Sequence, residues 1–312
     1  MKNDKELILV IGYKASGKTT YVNTYIGGFY HIINTLNLSD ILLNIHSLFN
    51  SGIDKIIFEC TYTSIESRKP IIKFSEKYNI KLTCVHINTS FEDSQLNFCI
   101  RMVKQYGKLL SPIEIVNSTD SNIIKIDEFY TSLYTYEHPT LEEGFSSIET
   151  VNFKRIINSD YKNKALLLDY DGTLRRSLGR FDFPIHPNEI QLLDNRKPII
   201  QKFKNDGYLL LGVSNQSGVH KKLFTTDDAI SCFNKTNELL DFDIHYEFCP
   251  HSKNPLMCYC RKPECGIGAY FIEKYKLNPS ECIMVGNAIT DSMFAKTCGF
   301  NYKDQADFFN LR

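Results

Sequence analysis

Short runs of consecutive apolar residues, rather than strict alternation, punctuate both halves of the chain. Residues 7–11, 55–58 and 82–87 carry them in the first half, and 165–168, 208–213 and 282–285 in the second. Strands apolar on both faces belong inside parallel sheets that helices cover on both sides. Longer stretches of mixed, helix-like periodicity separate the runs, so each half reads as strand–helix–strand units. The expected architecture is α/β, with two doubly wound parallel-sheet domains. A polar stretch at 154–164, KRIINSDYKNK, has no clear periodicity and places the boundary between domains 1–157 and 158–312. Residues 111–120 are rich in Pro, Ser, Asn and Thr and read as a mobile loop.

Composition narrows the setting. A length of 312 residues suits two domains of ordinary size, and 43% hydrophobic residues suffice for two cores. The formal charge is zero, so contact with nucleic acid would have to rest on local patches. No apolar run approaches a membrane span, and the opening MKNDKELILV is too short and too charged for a signal peptide. The ten cysteines are therefore expected as reduced thiols or metal ligands in the cytoplasm or nucleus.

The first strand runs into Gly12, four further residues, then Gly17-Lys18-Thr19-Thr20 ahead of a helical stretch. Glycines there let backbone N–H groups curl around phosphates, and the helix N-terminus adds partial positive charge. Lys18 would reach the β- and γ-phosphates of ATP, and the Thr19 hydroxyl would hold the accompanying Mg²⁺. Three further segments, ECTYTSIESR (59–68), SFEDSQLNFCIR (90–101) and HPTLEEGFSSIETVNF (138–153), resemble the kinase domain of polynucleotide phosphatase/kinases. The resemblance implies that Arg101 is a lid arginine on the transferred phosphate, and that Thr61 and Arg68 belong to the active site. One departure is chemical. The family carries a catalytic Asp inside an Arg-Asp-Thr-Leu run, where this chain has HIINTL with Asn34 at the place of the carboxylate. An amide cannot take up the proton of the acceptor hydroxyl. Asp40 could substitute only if the loop refolds, and Glu59 stands where the family has Asp.

In the second half, LLLDYDGTL sets Asp169 and Asp171 just past an apolar strand, at the edge where open α/β sheets bind ligands. Asp169 could attack phosphorus and Asp171 manage the proton, with Mg²⁺ between them. Then follow GVSNQSGV with Ser214, CRKP with Lys262, and IMVGNAITDS with Asn287 and Asp291. The four segments in this order resemble haloacid-dehalogenase-type phosphatases over residues 164–302. The resemblance implies an aspartyl-phosphate on Asp169, a phosphoryl oxygen held at Ser214, charge neutralisation by Lys262, and Mg²⁺ ligation at the fourth segment. There the family has Gly-Asp and this chain Gly286-Asn287, which lowers the expected Mg²⁺ affinity unless Asp291 compensates.

Cys249, His251, Cys258 and Cys260 lie within twelve residues, a ligand set suited to a structural Zn²⁺. Their spacing resembles the zinc loop of histidinol-phosphate and heptose-bisphosphate phosphatases, and folding of that loop should position Lys262. The short intervals between motifs leave little room for a cap, so bulky phosphate esters should enter, with Arg175, Arg176 and Arg180 available to a polyanion. The leading expectation is a bifunctional enzyme for nucleic-acid ends, DNA or RNA. It would remove 3′-phosphates and phosphorylate 5′-hydroxyls with ATP, making the ends that a ligase joins. The alternatives are a phosphatase of sugar or histidinol phosphates with a nucleotide-binding regulatory domain, and a nucleic-acid-binding module without turnover. No membrane partner is expected.

Overall fold

The computed structural model describes residues 5–25, 27–33 and 38–310. The chain divides into two compact units, Met1–Phe98 with Glu128–Arg155, and Cys99–Asp127 with Ile156–Arg312.

The first unit is built on five parallel strands: β1 (Glu6–Ile11), β2 (Tyr30–Ile33), β3 (Lys55–Glu59), β4 (Lys81–Asn88) and β5 (Ser147–Asn152), in the order β2-β3-β1-β4-β5. Central β1 explains the unbroken apolar run at 7–11. Leu7, Leu9 and Ile11 join Ile41, Ile45 and Ile71 in one core, while Ile8 and Val10 join Val22, Ile57 and Val85 in the other. Edge strand β5 is largely exposed, which is why apolarity did not reveal it.

The second unit carries β6 (Ala165–Leu168), the antiparallel pair β7 (Arg175–Ser177) and β8 (Ile190–Leu192), then β9 (Leu209–Asn215), β10 (His245–Cys249), β11 (Ile283–Gly286) and β12 (Asn301–Asp304). Its parallel sheet has the order β10-β9-β6-β11-β12. All four residues of β6 are buried, and Leu166 and Leu168 pack with Ala229, Phe233 and Leu240 of the helix Thr226–Leu240. The reversal of strand order beside β6 opens the crevice in which such sheets bind ligands.

Two expectations change. The 111–120 stretch contains a helix, Pro112–Val116, opened by a reciprocal cap. Ser111 Oγ accepts from Glu114 N–H and Glu114 Oε2 accepts from Ser111 N–H at 2.8 Å. Residues 99–127 also group with the second unit, although they precede the polar stretch at 154–164. No described helix is long and apolar enough to cross a membrane.

Candidate active site

The turn after β6 is built for close approach. Asp169 N–H donates to Val285 O at 3.0 Å, and Tyr170 O accepts from the N–H groups of Thr173, Leu174 and Arg175. Gly172 has φ +80°, and a Cβ there would stand 2.2 Å from Asn287 Nδ2. The backbone conformation therefore favours glycine, and a larger residue would also displace the Asn287 amide.

Lys262 Nζ lies 2.7 Å from Asp169 Oδ1 and 2.7 Å from Asp291 Oδ1, and it donates to Val213 O at 2.7 Å. Asn215 brackets the lysine backbone, donating from Nδ2 to its carbonyl and accepting its N–H, each at 3.0 Å. Burial pushes the Asp169 carboxyl up to about 6, with Lys262 opposing and the charges of Asp291 and Asp171 reinforcing the rise. Burial works against the Lys262 ammonium too, but Asp169 and Asp291 more than offset it and hold its pKa above the ordinary value. The fold itself thus holds a buried ammonium beside the Asp169 carboxyl group.

Asp171 is held from both sides. Arg175 Nε donates to its Oδ1 at 2.8 Å, and Gln216 Nε2 donates to its Oδ2 at 2.7 Å. Gln216 also reaches Ser214 Oγ at 2.9 Å, tying the end of β9 to the aspartate pair. Sequence reasoning gave no role to Asn215, Gln216 or Thr173, although all three lie inside motifs that it quoted. It misplaced Arg175, which is buried rather than offered to a polyanion. The arginine donates to Cys232 O and Thr236 Oγ1 and lies over the Tyr170 and Phe233 rings. Arg176 is exposed and donates to Gln191 Oε1, and Arg180 packs over Phe181.

The fourth segment divides its labour. Thr173 Oγ1 stands 3.4 Å from Asp169 Oδ2 and 3.5 Å from Asn287 Oδ1, so hard oxygen donors from two strand ends meet at one place. That donor set fits Mg²⁺. Asp291, expected as a magnesium ligand, is engaged elsewhere. Its Oδ2 accepts from the N–H groups of Asn287 and Ala288, and its Oδ1 pairs with Lys262. It organises the loop and the lysine.

Cys249, His251, Cys258 and Cys260 converge, with their ligand atoms all within 4.8 Å of one another. Cys249 Sγ is 3.6 Å from Cys258 Sγ and 3.5 Å from His251 Nδ1, and His251 Nδ1 is 3.1 Å from Cys260 Sγ. Ligand atoms around tetrahedral Zn²⁺ stand about 3.5–3.8 Å apart, from the usual bond lengths. Without a cation three crowded sulfurs cannot all ionise. The Cys249 thiol is pushed up to about 12, chiefly through its hydrogen bond to Cys258, and Cys260 is pushed up as well. The residues fit Zn²⁺.

In the first unit Gly12 has φ +154°, and a Cβ there would meet Ile87 O at 2.8 Å, while Gly17 has φ +98°. The loop then enters the helix Lys18–Tyr25. Lys18 Nζ curls back to Gly12 O at 3.1 Å and Tyr13 O at 2.7 Å, and Thr19 Oγ1 donates to Glu59 Oε1 at 2.6 Å. Thr20 is exposed on the first helical turn, and Thr61 is half-buried just past β3. Arg68, carried over as an active-site residue, is instead wholly buried. It forms a two-pronged pair with Glu143 at 2.8 and 2.7 Å, and it donates to Glu137 O at 3.0 Å. Arg101 falls within the second compact unit, where its Nη2 donates to Asn122 O at 2.8 Å. Asp40 is exposed in the first turn of the helix Leu38–Asn50, and Asn34 lies outside the described residues.

The second sheet and the groups at its carboxyl edge define a phosphatase of the haloacid-dehalogenase type. A family model described as Polynucleotide kinase 3 phosphatase matches residues 164–309. Among solved structures, a D,D-heptose 1.7-bisphosphate phosphatase from B. bronchiseptica, complexed with magnesium and phosphate, is 23% identical. It covers 45% of this chain and 79% of its own, with a TM-score of 0.41. A chain of the Pnkp1/Rnl/Hen1 RNA repair complex is 15% identical, covering 96% of this chain and 95% of its own, with a TM-score of 0.33. The D-glycero-beta-D-manno-heptose-1,7-bisphosphate 7-phosphatase of Haemophilus influenzae is 31% identical over 140 residues, 41% of this chain and 73% of that protein. The bifunctional polynucleotide phosphatase/kinase of Schizosaccharomyces pombe is 27% identical over 166 residues, 51% of this chain but 36% of that protein. The chain therefore belongs to the family of haloacid-dehalogenase-type phosphatases that includes the heptose-bisphosphate phosphatases.

Proposed function

We propose that this chain processes nucleic-acid ends, removing a 3′-phosphate at Asp169 and transferring phosphate from ATP to a 5′-hydroxyl in its amino-terminal domain. The observation that carries the reading is the pairing, on one chain, of a match to polynucleotide 3′-phosphatases over residues 164–309 with a glycine-bounded phosphate loop at Gly12–Thr19. The proposed division is 1–157 for the kinase-like domain and 158–312 for the phosphatase, with residues 99–127 packed into the latter's compact unit.

In the phosphatase, Asp169 attacks the phosphorus and the ester oxygen leaves with a proton from Asp171. Asp171 then takes a proton from the water that hydrolyses the aspartyl-phosphate. Lys262 neutralises the charge that would otherwise repel the incoming phosphate, and Ser214 holds a phosphoryl oxygen. Asp169 and Asn287 would hold Mg²⁺, which when bound supplies further positive charge at the phosphoryl group. Cys249, His251, Cys258 and Cys260 would hold Zn²⁺ as a structural brace next to Lys262.

In the kinase-like domain, Gly12, Gly17, Lys18, Thr19 and Thr20 would embrace the triphosphate. Glu59 beside Thr19 favours the same reading, because a hydroxyl and a carboxylate together suit a nucleotide-bound Mg²⁺. Arg101 is retained as the candidate lid residue. The products, 5′-phosphate and 3′-hydroxyl, are what a ligase requires, so a ligase is the expected functional partner.

A second reading has a specific observation in its favour. The heptose-bisphosphate phosphatase likeness reaches 31% identity, and the four-ligand loop accords with that group. The deciding experiment offers a 3′-phosphorylated oligonucleotide and a heptose bisphosphate to the same preparation, with Asp169→Asn as control. Faster turnover of the sugar would reject the end-processing reading. ATP-dependent labelling of a 5′-hydroxyl oligonucleotide tests the kinase half separately, and normal ATP binding without transfer would reject it.

A further inference from the structure

Residues 99–127 precede the region matched to the phosphatase family, yet they belong to the same compact unit. Several of their contacts reach the end of the cysteine loop and the helix Gly266–Tyr275 that follows it. Tyr259 lies between Cys258 and Cys260, three residues before Lys262, and its ring is buried. Its hydroxyl donates to Ile124 O at 3.0 Å. Its own carbonyl accepts from Gly266 N–H at 2.8 Å. A Cβ on Gly266 would stand 2.4 Å from that carbonyl and 2.8 Å from Leu109 Cδ2, so the helix start is wedged between the cysteine loop and residue 109. Along the helix that follows, Lys104 pairs with Glu273 at 3.6 Å. Met102, Val103, Leu110, Ile115 and Ile124 are buried in the same segment.

We infer that residues 99–127 are an integral brace of the phosphatase, and that Tyr259 is the positioning residue through which this brace holds the cysteine loop and Lys262. Lys262 must keep its ammonium within hydrogen-bond distance of Asp169 and Asp291, yet it sits at the end of a loop with little regular structure. Asn215 fixes the lysine backbone from the β9 side. Tyr259 and Gly266 fix the loop on either side of the lysine, against a segment from outside the family match. The same segment carries the candidate lid residue Arg101, so its placement serves the phosphatase whatever role Arg101 has.

The inference rests on the proposed roles of zinc and Lys262. Its test uses the full chain as wild type, Tyr259→Phe, Leu109→Asp and Lys262→Met. The readouts are zinc release to a chromogenic chelator, and kcat and KM for a 3′-phosphorylated oligonucleotide. Tyr259→Phe and Leu109→Asp should each release zinc about tenfold faster and lose roughly tenfold in kcat with KM little changed, the scale on which a metal site's supporting partners act. Leu109→Asp decides the matter if Tyr259→Phe fails to fold. Wild-type zinc release and kcat in both variants, beside zinc-loaded wild type and inactive Lys262→Met, would overturn the inference alone. Zinc-free wild type or fully active Lys262→Met would overturn the reading beneath it, and the inference with it.

Discussion

Replacing Arg175 with Met separates two accounts of one arginine. Its guanidinium donates to Asp171 Oδ1 at 2.8 Å, Cys232 O at 2.7 Å and Thr236 Oγ1 at 2.8 Å, and lies 5.2 and 5.0 Å from the Tyr170 and Phe233 ring centres. Not all of these partners would be stranded. Thr236 Oγ1 already donates to Cys232 O at 2.8 Å, and Asp171 keeps Gln216 and has a side chain 19% exposed. The cost should therefore fall below the ~3–5 kcal/mol of a fully stranded buried ion. A charged hydrogen bond contributes about 1.5–3 kcal/mol, and a desolvated cation over a ring adds up to ~2. Met recovers much of the packing. The expected loss is about 3 kcal/mol, read as a lower urea midpoint for the carboxyl-terminal unit. With one of its two holders gone, Asp171 should cost roughly 10- to 100-fold in kcat, the scale of a misplaced catalytic group. KM and its salt dependence should hold. An arginine that gripped a polyanion would behave oppositely, with unchanged stability, raised KM and a salt slope smaller by about one. Initial rates at low and moderate salt, beside the urea curves, decide. The second pattern would refute the buried role.

Three further outcomes follow from the same geometry. Asn287→Asp adds a charge to the oxygen set near Asp169 and should lower the Mg²⁺ concentration for half-maximal activity by roughly tenfold. An unchanged Mg²⁺ titration would remove Asn287 from the metal site. Arg68→Met leaves Glu143, whose side chain is 4% exposed, with the Thr140 N–H at 2.9 Å as its remaining donor, and should destabilise the amino-terminal unit by about 3 kcal/mol. If stability held while phosphate transfer vanished, Arg68 would be an active-site residue after all. Elemental analysis should find one zinc per chain, and prolonged chelation should abolish phosphatase turnover in step with zinc loss. A zinc-free preparation with full turnover would contradict the structural role of the four-ligand loop.

Much of the architecture was legible because parallel strands buried on both faces are apolar without interruption. The runs at 7–11, 55–58, 82–87, 165–168, 208–213 and 282–285 all fall on strands, within a residue or two at their ends. Edge strand β5 escaped because four of its six residues are exposed and only Ile148 and Val151 pack inward, and β2 because four residues carry too little pattern. The 111–120 stretch was misread from composition, although Ser111 and Glu114 have capping-box spacing. At the site, residues at strand ends were found because short motifs mark them, and Asp169 with Lys262, and the four Cys and His residues of the cysteine loop, do come together. Arg175, Arg68 and Asp291 each have an internal partner that local spacing does not reveal. A charged residue beside a motif looks available for ligand until its internal partner, here Asp171, Glu143 or Lys262, is known. Those partners are distant in sequence or on other turns, and local spacing cannot name them.

In the proposed mechanism Asp169 forms a covalent bond to the phosphate of a nucleic-acid 3′ end. The most direct measurement mixes enzyme with an oligonucleotide carrying a radiolabelled 3′-phosphate, quenches in acid within one turnover, and follows label on the protein. Wild type should carry transient label, labile to hydroxylamine and mapped by mass spectrometry to the peptide containing Asp169, while Asp169→Asn carries none. Rapid release of phosphate by wild type without protein-bound label, or label that persists in Asp169→Asn, would contradict it.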